Sequence, residues 1–374
     1  MIIKQNREPA FDALRVYLLI LGFIFHSALS YTNTPLDELW PYKDKSQAIL
    51  FDGISAFIHC FRMPAFFFIS GYFVEKMFRS QDSFIVLKKR LYRLGIPFIM
   101  AMLFCVPIIN IGFSLCNGTD NVLLLDSVFP KFESIGSRIH TSYIWFLYYL
   151  LIFSCMHVLI PKETKNHNKY NKGTSLVIVL FSIVVLLMLV LLFDNQNDLH
   201  GYYSFKPKFT SMFGFFTFYL SGLIFARKYN YLKIISDKSV LITFLAAIAL
   251  PIYFYVYTEN QNTIIYEALD SLKIKLIYSL TSVILTFSTL GLFVRYYKKS
   301  SSWIKFLADS SFFLYLIHLP IILLAVAFLS NDNLSAGVKF IIVLSTSISI
   351  SLILNFLRVS ITNKFKHIYK IFLH

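Results

Sequence analysis

FDALRVYLLILGFIFHSALSY, residues 11–31, is an apolar run interrupted by a guanidinium at Arg15 and an imidazole at His26. Its length suits a helix crossing a bilayer core of about 30 Å. Eleven residues of α-helix turn through about 1,100°, within roughly 20° of three full turns. Arg15 and His26 therefore project from one face, about 16 Å apart along the axis. Ionisable side chains on one stripe of a membrane helix are costly there and mark a functional site by default. Asp12, Leu19 and Gly22 share the stripe. Asp12 is placed to pair with Arg15, and Gly22 admits close approach one turn before His26. No small-residue cleavage site follows, so the run reads as a retained span and not as a signal peptide.

The pattern recurs through the chain. Mostly apolar stretches long enough to span lie near 11–31, 48–75, 94–115, 142–161, 175–193, 209–227, 239–257, 272–294, 304–330 and 338–357. The 374 residues are 57% hydrophobic and only 15% charged, where a soluble domain has about a quarter charged. The fold class is therefore all-α: one polytopic membrane bundle of about ten transmembrane helices, with 1–374 as a single domain. A net charge of +15 raises nucleic acid as a partner, and its distribution excludes that. Segments 1–10, 76–93, 162–174, 227–238, 295–305 and the tail from 358 hold 24 of the 35 Lys and Arg. The intervening loops carry acidic residues such as Asp37, Glu38, Asp120, Asp194, Asp198 and Asp270. This is the positive-inside asymmetry, and it places both termini in the cytoplasm. The tail 358–374 alternates basic and aromatic residues, as in an amphipathic helix on an anionic inner leaflet. Loop 162–174 is polar, and the four cysteines have no disulfide or metal spacing, so they read as packing residues.

Further polar residues lie within the spans. In FIHCFRMPAFFFISGYF (57–73), His59 and Arg62 share a face. Arg62 is about fourteen residues from either end of its apolar run, too deep to snorkel, and needs a buried partner or an aqueous cavity. Pro64 removes a backbone donor, and Ser70 and Gly71 permit tight packing. Arg90 and Arg93 are one turn apart on a short helix at the inner surface, just before Gly95-Ile-Pro97 opens the third span. Two guanidiniums so held grip phosphates bidentately; ordinary positive-inside residues fit the same positions. Ser311, Tyr315 and His318 share a face of the ninth span, which suits a proton relay, an acceptor-binding group or a packing contact. Trp145 reads as an interfacial anchor.

In chain order these elements resemble acyltransferase family 3, polytopic membrane enzymes that move acyl groups onto cell-surface glycans. The matching pieces are Arg15-x10-His26, the run from Phe67 to Gly71, Arg90-x-x-Arg93, Trp145-Phe-Leu and Tyr315-x-x-His318. FDALRVYLLILGFIFHSALSY, FIHCFRMPAFFFISGYF, RLGIP (93–97) and SFFLYLIHLP (311–320) are most similar to the periplasmic glucan succinyltransferases within it. One departure stands out: those enzymes lead us to expect a histidine where this chain has Tyr143, and its nearest histidine is His140. The resemblance implies an inner-membrane enzyme with no bound cofactor, using succinyl-CoA or acetyl-CoA from the cytoplasm and a periplasmic or surface glycan as acceptor. On that basis Arg90 and Arg93 hold the CoA phosphates and Arg15 steers the donor. His26 acts as general base or acyl carrier, and Arg62 stabilises the oxyanion or binds a succinyl carboxylate. His59, Ser70, Tyr315 and His318 bind substrate, with Tyr315 and His318 orienting the acceptor. The rival reading is a transporter or flippase for a glycan or lipid-linked precursor, since intramembrane Arg and His mark substrate paths there too. Against it, no repeated halves with matching broken helices are visible.

Overall fold

The computed structural model describes residues 7–34, 40–118, 141–162, 172–202, 204–228, 230–262, 268–299 and 301–371. The helices are α1 Pro9–Ala28, α2 Ile49–Ser80, α3 Ser83–Met100, α4 Val106–Cys116, α5 Trp145–Val158 and α6 Lys172–Phe193. They continue as α7 Phe209–Arg227, α8 Asn230–Asp237, α9 Ser239–Asn262, α10 Ala268–Tyr296, α11 Ser302–Leu329 and α12 Ala336–Ile371. No strand occurs among the described residues. Among the described residues, nine helical spans are long and apolar enough to cross a membrane, and Ser142–Val158 is a shorter apolar tenth. These are the ten positions that hydropathy picks out.

α1, α2, α7 and α10 form an inner layer, 61–67% buried along their apolar windows, whereas α3–α4, α6, α9 and α12 are only 17–22% buried and turn apolar faces outward. Lipid makes that outward exposure inexpensive, so close packing must come from small residues. The α2–α7 crossing shows how. A Cβ on Gly71 would sit 1.9 Å from the Tyr219 carbonyl oxygen, and one on Gly222 would sit 2.0 Å from that of Phe68. Each glycine thus receives the other helix's backbone.

The site-bearing helices α2 and α11, like α3, contain an internal proline, and each proline leaves the carbonyl four residues earlier without its helical donor. In α2 that carbonyl is Cys60, below Pro64, and it accepts a 2.6 Å hydrogen bond from the Ser282 hydroxyl of α10. In α11 it is Leu316, below Pro320, and it accepts from the Tyr143 hydroxyl just before α5. Both gaps are filled from a neighbouring element, as an apolar surrounding requires.

Ion pairs and one charged hydrogen bond fix which helix ends share a side. Arg7 binds Asp309, Lys76 binds Glu8, Arg227 binds Glu75, and Arg358 donates to Ser310. The start of α1, the end of α2, the end of α7 and the start of α11 therefore lie together on the basic side. The far half of α12 joins them, so residues 7 and 358 are on one side, as the charge pattern requires. On the opposite side the buried Lys339–Asp44 pair, 2.8 Å, ties the loop after α1 to α12.

Two boundaries differ from the sequence reading. Segment 76–93, read as an inner-surface segment with one short helix ahead of a third span, is helical apart from a short turn and runs on into that span, because Asp82 caps α3 by accepting from Phe84 N and Ile85 N. The C-terminal tail continues α12 without a break to Ile371. Most of loop 162–174 falls outside the described residues. All four cysteines are free; Cys155 is exposed and the other three are wholly or partly buried.

Candidate active site

α1 and α11 bring His26 and His318 together, ring centroids 5.2 Å apart. His318 Nδ1 donates to the Tyr315 carbonyl at 2.5 Å. A carbonyl only accepts, so Nδ1 carries the hydrogen, and in the neutral imidazole Nε2 keeps a lone pair. That Nε2 lies 4.0 Å from where a Gly22 Cβ would stand. The Nδ1 of His26 is buried and has no hydrogen-bond partner among the described residues. Trp40, from the loop after α1, stacks on the His26 ring at 6.1 Å and is fixed by donating to the Ser30 hydroxyl at 2.9 Å.

Arg62 reaches the same place from α2. Its guanidinium carbon lies 4.8 Å above the Phe25 ring, a cation–π contact. Its Nη1 is 3.1 Å from the position a Gly22 Cβ would take. It acts electrostatically on both His26 and His318. A narrow cleft lies beside these groups, lined by Leu18, Gly22, Arg62, Phe66, Tyr315 and His318 among others. The burial needed to hold a guanidinium at this depth is thus met by an aromatic face and a cavity. Gly22 supplies the room for it.

Along α2, His59, Arg62, Phe66 and Ser70 follow at spacings of three and four residues, so one stripe runs from the outer side to the inner. At its inner end Ser70 accepts from Arg90 Nη2 at 3.0 Å, and Arg90 Nε reaches Ser154 at 3.4 Å. Arg15 lies nearby, 3.7 Å from Asp12, with its guanidinium carbon 4.5 Å over Phe73. Arg15, Arg90 and Arg93 interact electrostatically with one another, forming a cationic inner mouth. Arg90 and Arg93 do not share an environment, as their one-turn spacing suggests: Arg90 turns into the bundle while Arg93 is exposed.

The Tyr143 departure has a structural account. Its hydroxyl serves Leu316, its own carbonyl accepts from Tyr315 at 2.7 Å, and its ring lies 5.9 Å from that of His318. It therefore locks the start of α5 to α11 beside the histidines. His140 lies outside the described residues. Trp145 is not an interfacial anchor. It is 8% exposed, packed 5.0 Å from the Phe215 ring, with Gly201 pressed against its indole. Sequence reading missed Trp40, Asp198 and His200. The last two sit in the loop between α6 and α7, where Asp198 Oδ2 lies 3.4 Å from His59 Nε2 and Oδ1 lies 3.1 Å from His200 Nδ1. Among the described residues no group of three His, Cys, Asp or Glu side chains converges as metal ligands.

A multi-pass helical bundle with buried imidazoles and a deep guanidinium at a cleft, and a cationic mouth on its basic side, defines a membrane protein that handles a substrate within its bundle. The model of the acyltransferase domain of family 3 matches residues 8–356. The chain belongs to that family and is an acyl-transferring enzyme of the membrane. Two relatives are both called Glucans biosynthesis protein C, one from Escherichia coli strain K12 and one from Shigella dysenteriae serotype 1 strain Sd197. Each is 26% identical over 375 aligned residues, covering 94% of this chain and 91% of the relative. No solved structure matches the chain.

Proposed function

We propose that the enzyme carries an acyl group, succinyl or acetyl, from cytoplasmic acyl-CoA across the inner membrane to a glycan hydroxyl on the other side. The observation that carries this reading is the cleft itself. Its outer end holds Arg62 and His318 beside His26, and the α2 stripe that lines it leads through Ser70 to Arg90 at the cationic inner mouth. The names of the relatives support a glucan as the acceptor.

Arg90, Arg93 and Arg15 meet the CoA phosphates by charge-assisted hydrogen bonds, and the apolar cleft passes the pantetheine arm and acyl group inward. His26 takes the proton of the acceptor hydroxyl; its unpaired Nδ1 is the atom free to do so. The hydroxyl oxygen attacks the thioester carbonyl, and Arg62 faces the oxyanion of the tetrahedral intermediate. The C–S bond then breaks, and the proton passes from His26 to the leaving thiolate, so no net charge is left in the bundle. His318, held by Tyr315, orients the acceptor. The test is mass spectrometry of periplasmic and surface glycans from cells lacking the gene, complemented with wild type or His26→Gln. Acylated glycan with wild type only is the expected result, and the mass added distinguishes succinyl from acetyl. Equal acylation with His26→Gln overturns the assignment.

A further inference from the structure

The described loop segments 194–202 and 204–208 lie on the outer side of the bundle and are fastened at several points. Lys208 pairs with Asp194 at 2.7 Å, and Thr210 donates to the same carboxylate at 2.6 Å. Lys275 donates to Asn195 Oδ1 at 2.9 Å, Tyr278 donates to the Leu199 carbonyl, and Gly201 lies against Trp145. Asp198 is presented from this fixed frame, between His59 on the site stripe and His200.

We infer that Asp198, with His200 and Gln196 beside it and His59 beneath, is the outer subsite that holds hydroxyls of a neutral, polyhydroxylated acceptor. The inference rests on the proposed transfer to a glycan and deepens it. A carboxylate has about four lone-pair positions; His200 Nδ1 takes one at 3.1 Å, while His59 Nε2 stands 3.4 Å away without a hydrogen bond. The Asp198 side chain keeps 28% of its surface exposed and the histidines 26% each, so the remaining positions face outward. Gln196 Nε2, 3.4 Å from His200 Nε2, adds an amide. Other buried acid–base groups differ: Glu75 is saturated by His157 and Arg227, and Asp44 by Lys339, with nothing turned to solvent. Burial works to raise the Asp198 pKa, yet the contacts with His200 and His59 outweigh it and hold the carboxyl below the usual carboxylate range. An ionised carboxylate at this mouth accepts hydroxyl donors and repels anionic sugars.

The subsite also connects to the chemistry. His59 stacks on Phe25 at 6.1 Å, and Phe25 lies under Arg62. Three residues of helix separate His59 from Arg62, about 4.5 Å along the axis, the scale of one sugar residue. A hydroxyl held at Asp198 would leave its neighbour near Arg62.

The test uses the full chain in proteoliposomes with a neutral linear gluco-oligosaccharide as probe acceptor and acetyl-CoA or succinyl-CoA as donor. A hydrogen bond to a charged group contributes about 1.5–3 kcal/mol. Asp198→Asn should therefore raise acceptor KM about tenfold or more, with kcat and donor KM little changed, and Asp198→Glu should recover part of the loss. A carboxylated oligosaccharide should compete poorly against wild type and better against Asp198→Asn. An unchanged acceptor KM, or a fall in kcat alone, overturns the subsite. If Asp198→Asn loses its melting transition, Gln196→Ala gives the same readout from the exposed edge, and an unchanged KM there also overturns it. Saturation-transfer NMR separates the two readings. Binding lost in Asp198→Asn while wild type transfers nothing keeps the subsite and removes the proposed transfer from acyl-CoA to this glycan. Transfer with binding that ignores Asp198 does the reverse.

Discussion

The α2–α7 crossing gives a prediction whose size follows from the coordinates. In Gly71→Ala the new Cβ would start 1.9 Å from the Tyr219 carbonyl oxygen, and ordinary contact begins near 3.4 Å. The obstacle is backbone, so no side chain can swing aside; the helices must part locally by about 1.5 Å. A gap of 0.5–1 Å already forfeits a quarter to a half of the dispersion well, and overpacking costs about 1–3 kcal/mol, occasionally more. Gly71→Ala should therefore destabilise by about 3 kcal/mol, and Gly222→Ala, whose Cβ would lie 2.0 Å from the Phe68 carbonyl oxygen, by a similar amount. Both strain one crossing, so helices parted for the first alanine accommodate the second. The double variant should fall short of the sum by at least about 1 kcal/mol, within the range seen for coupled neighbours. Gly95→Ala is the control: nothing lies within 4 Å of its Cβ position in α3, and helix propensity alone predicts a gain of up to about 1 kcal/mol. The assay is reversible unfolding in mixed micelles by SDS titration. Strictly additive losses, or a Gly71→Ala variant as stable as Gly95→Ala, would refute the reasoning.

Gly22→Ala places a Cβ 3.1 Å from Arg62 Nη1, a flexible end that can retreat by a few tenths of an ångström. Folding should survive while kcat for acyl transfer falls about tenfold, because misplacement of about 1 Å is known to cost about a hundredfold; steady-state kinetics with unchanged melting checks this. Tyr143→Phe and Ser282→Ala each leave a buried carbonyl unpaired, beside Pro320 and Pro64, and should each lower stability by about 1–3 kcal/mol in the same titration. Burial opposes the charge on His200, but the hydrogen bond with Asp198 outweighs it and raises the His200 pKa. Its stabilisation is therefore complete below the unfolded value of about 6.5 and fades as pH climbs through the raised folded value. The melting difference between wild type and His200→Gln should accordingly shrink from acidic to alkaline buffer, and a constant difference counts against it. Arg90→Ala should raise donor KM for acyl-CoA and leave acceptor KM unchanged.

The spans were legible because lipid imposes a long, uniform requirement on sequence: about twenty apolar residues at a time. The α1 stripe was legible for the same local reason, since Arg15, Gly22 and His26 are related by one helix's geometry. What was hidden depends on distance in the chain. Asp198 meets His59 across 139 residues, and no periodicity links a loop aspartate to a helix stripe. Trp145 was misplaced because an aromatic residue at a helix start fits a membrane interface or an aromatic core equally well; Gly201 and Phe215 decide it. Arg90 and Arg93 looked equivalent at one-turn spacing, but only Arg90 finds Ser70 and Ser154.

The hydroxyls beside the two prolines are conditional parts. Ser282 is needed only because Pro64 withholds a donor from Cys60, and Tyr143 serves Leu316 only because Pro320 does the same. Restoring the helical donor makes each hydroxyl redundant, so Pro64→Ala should rescue Ser282→Ala even though each exchange changes the bundle when made alone. A gapless α2 or α11 is thus one paired exchange away. Comparing it with the native form would separate what the interrupted ladder contributes to acyl passage from what it contributes to holding the fold.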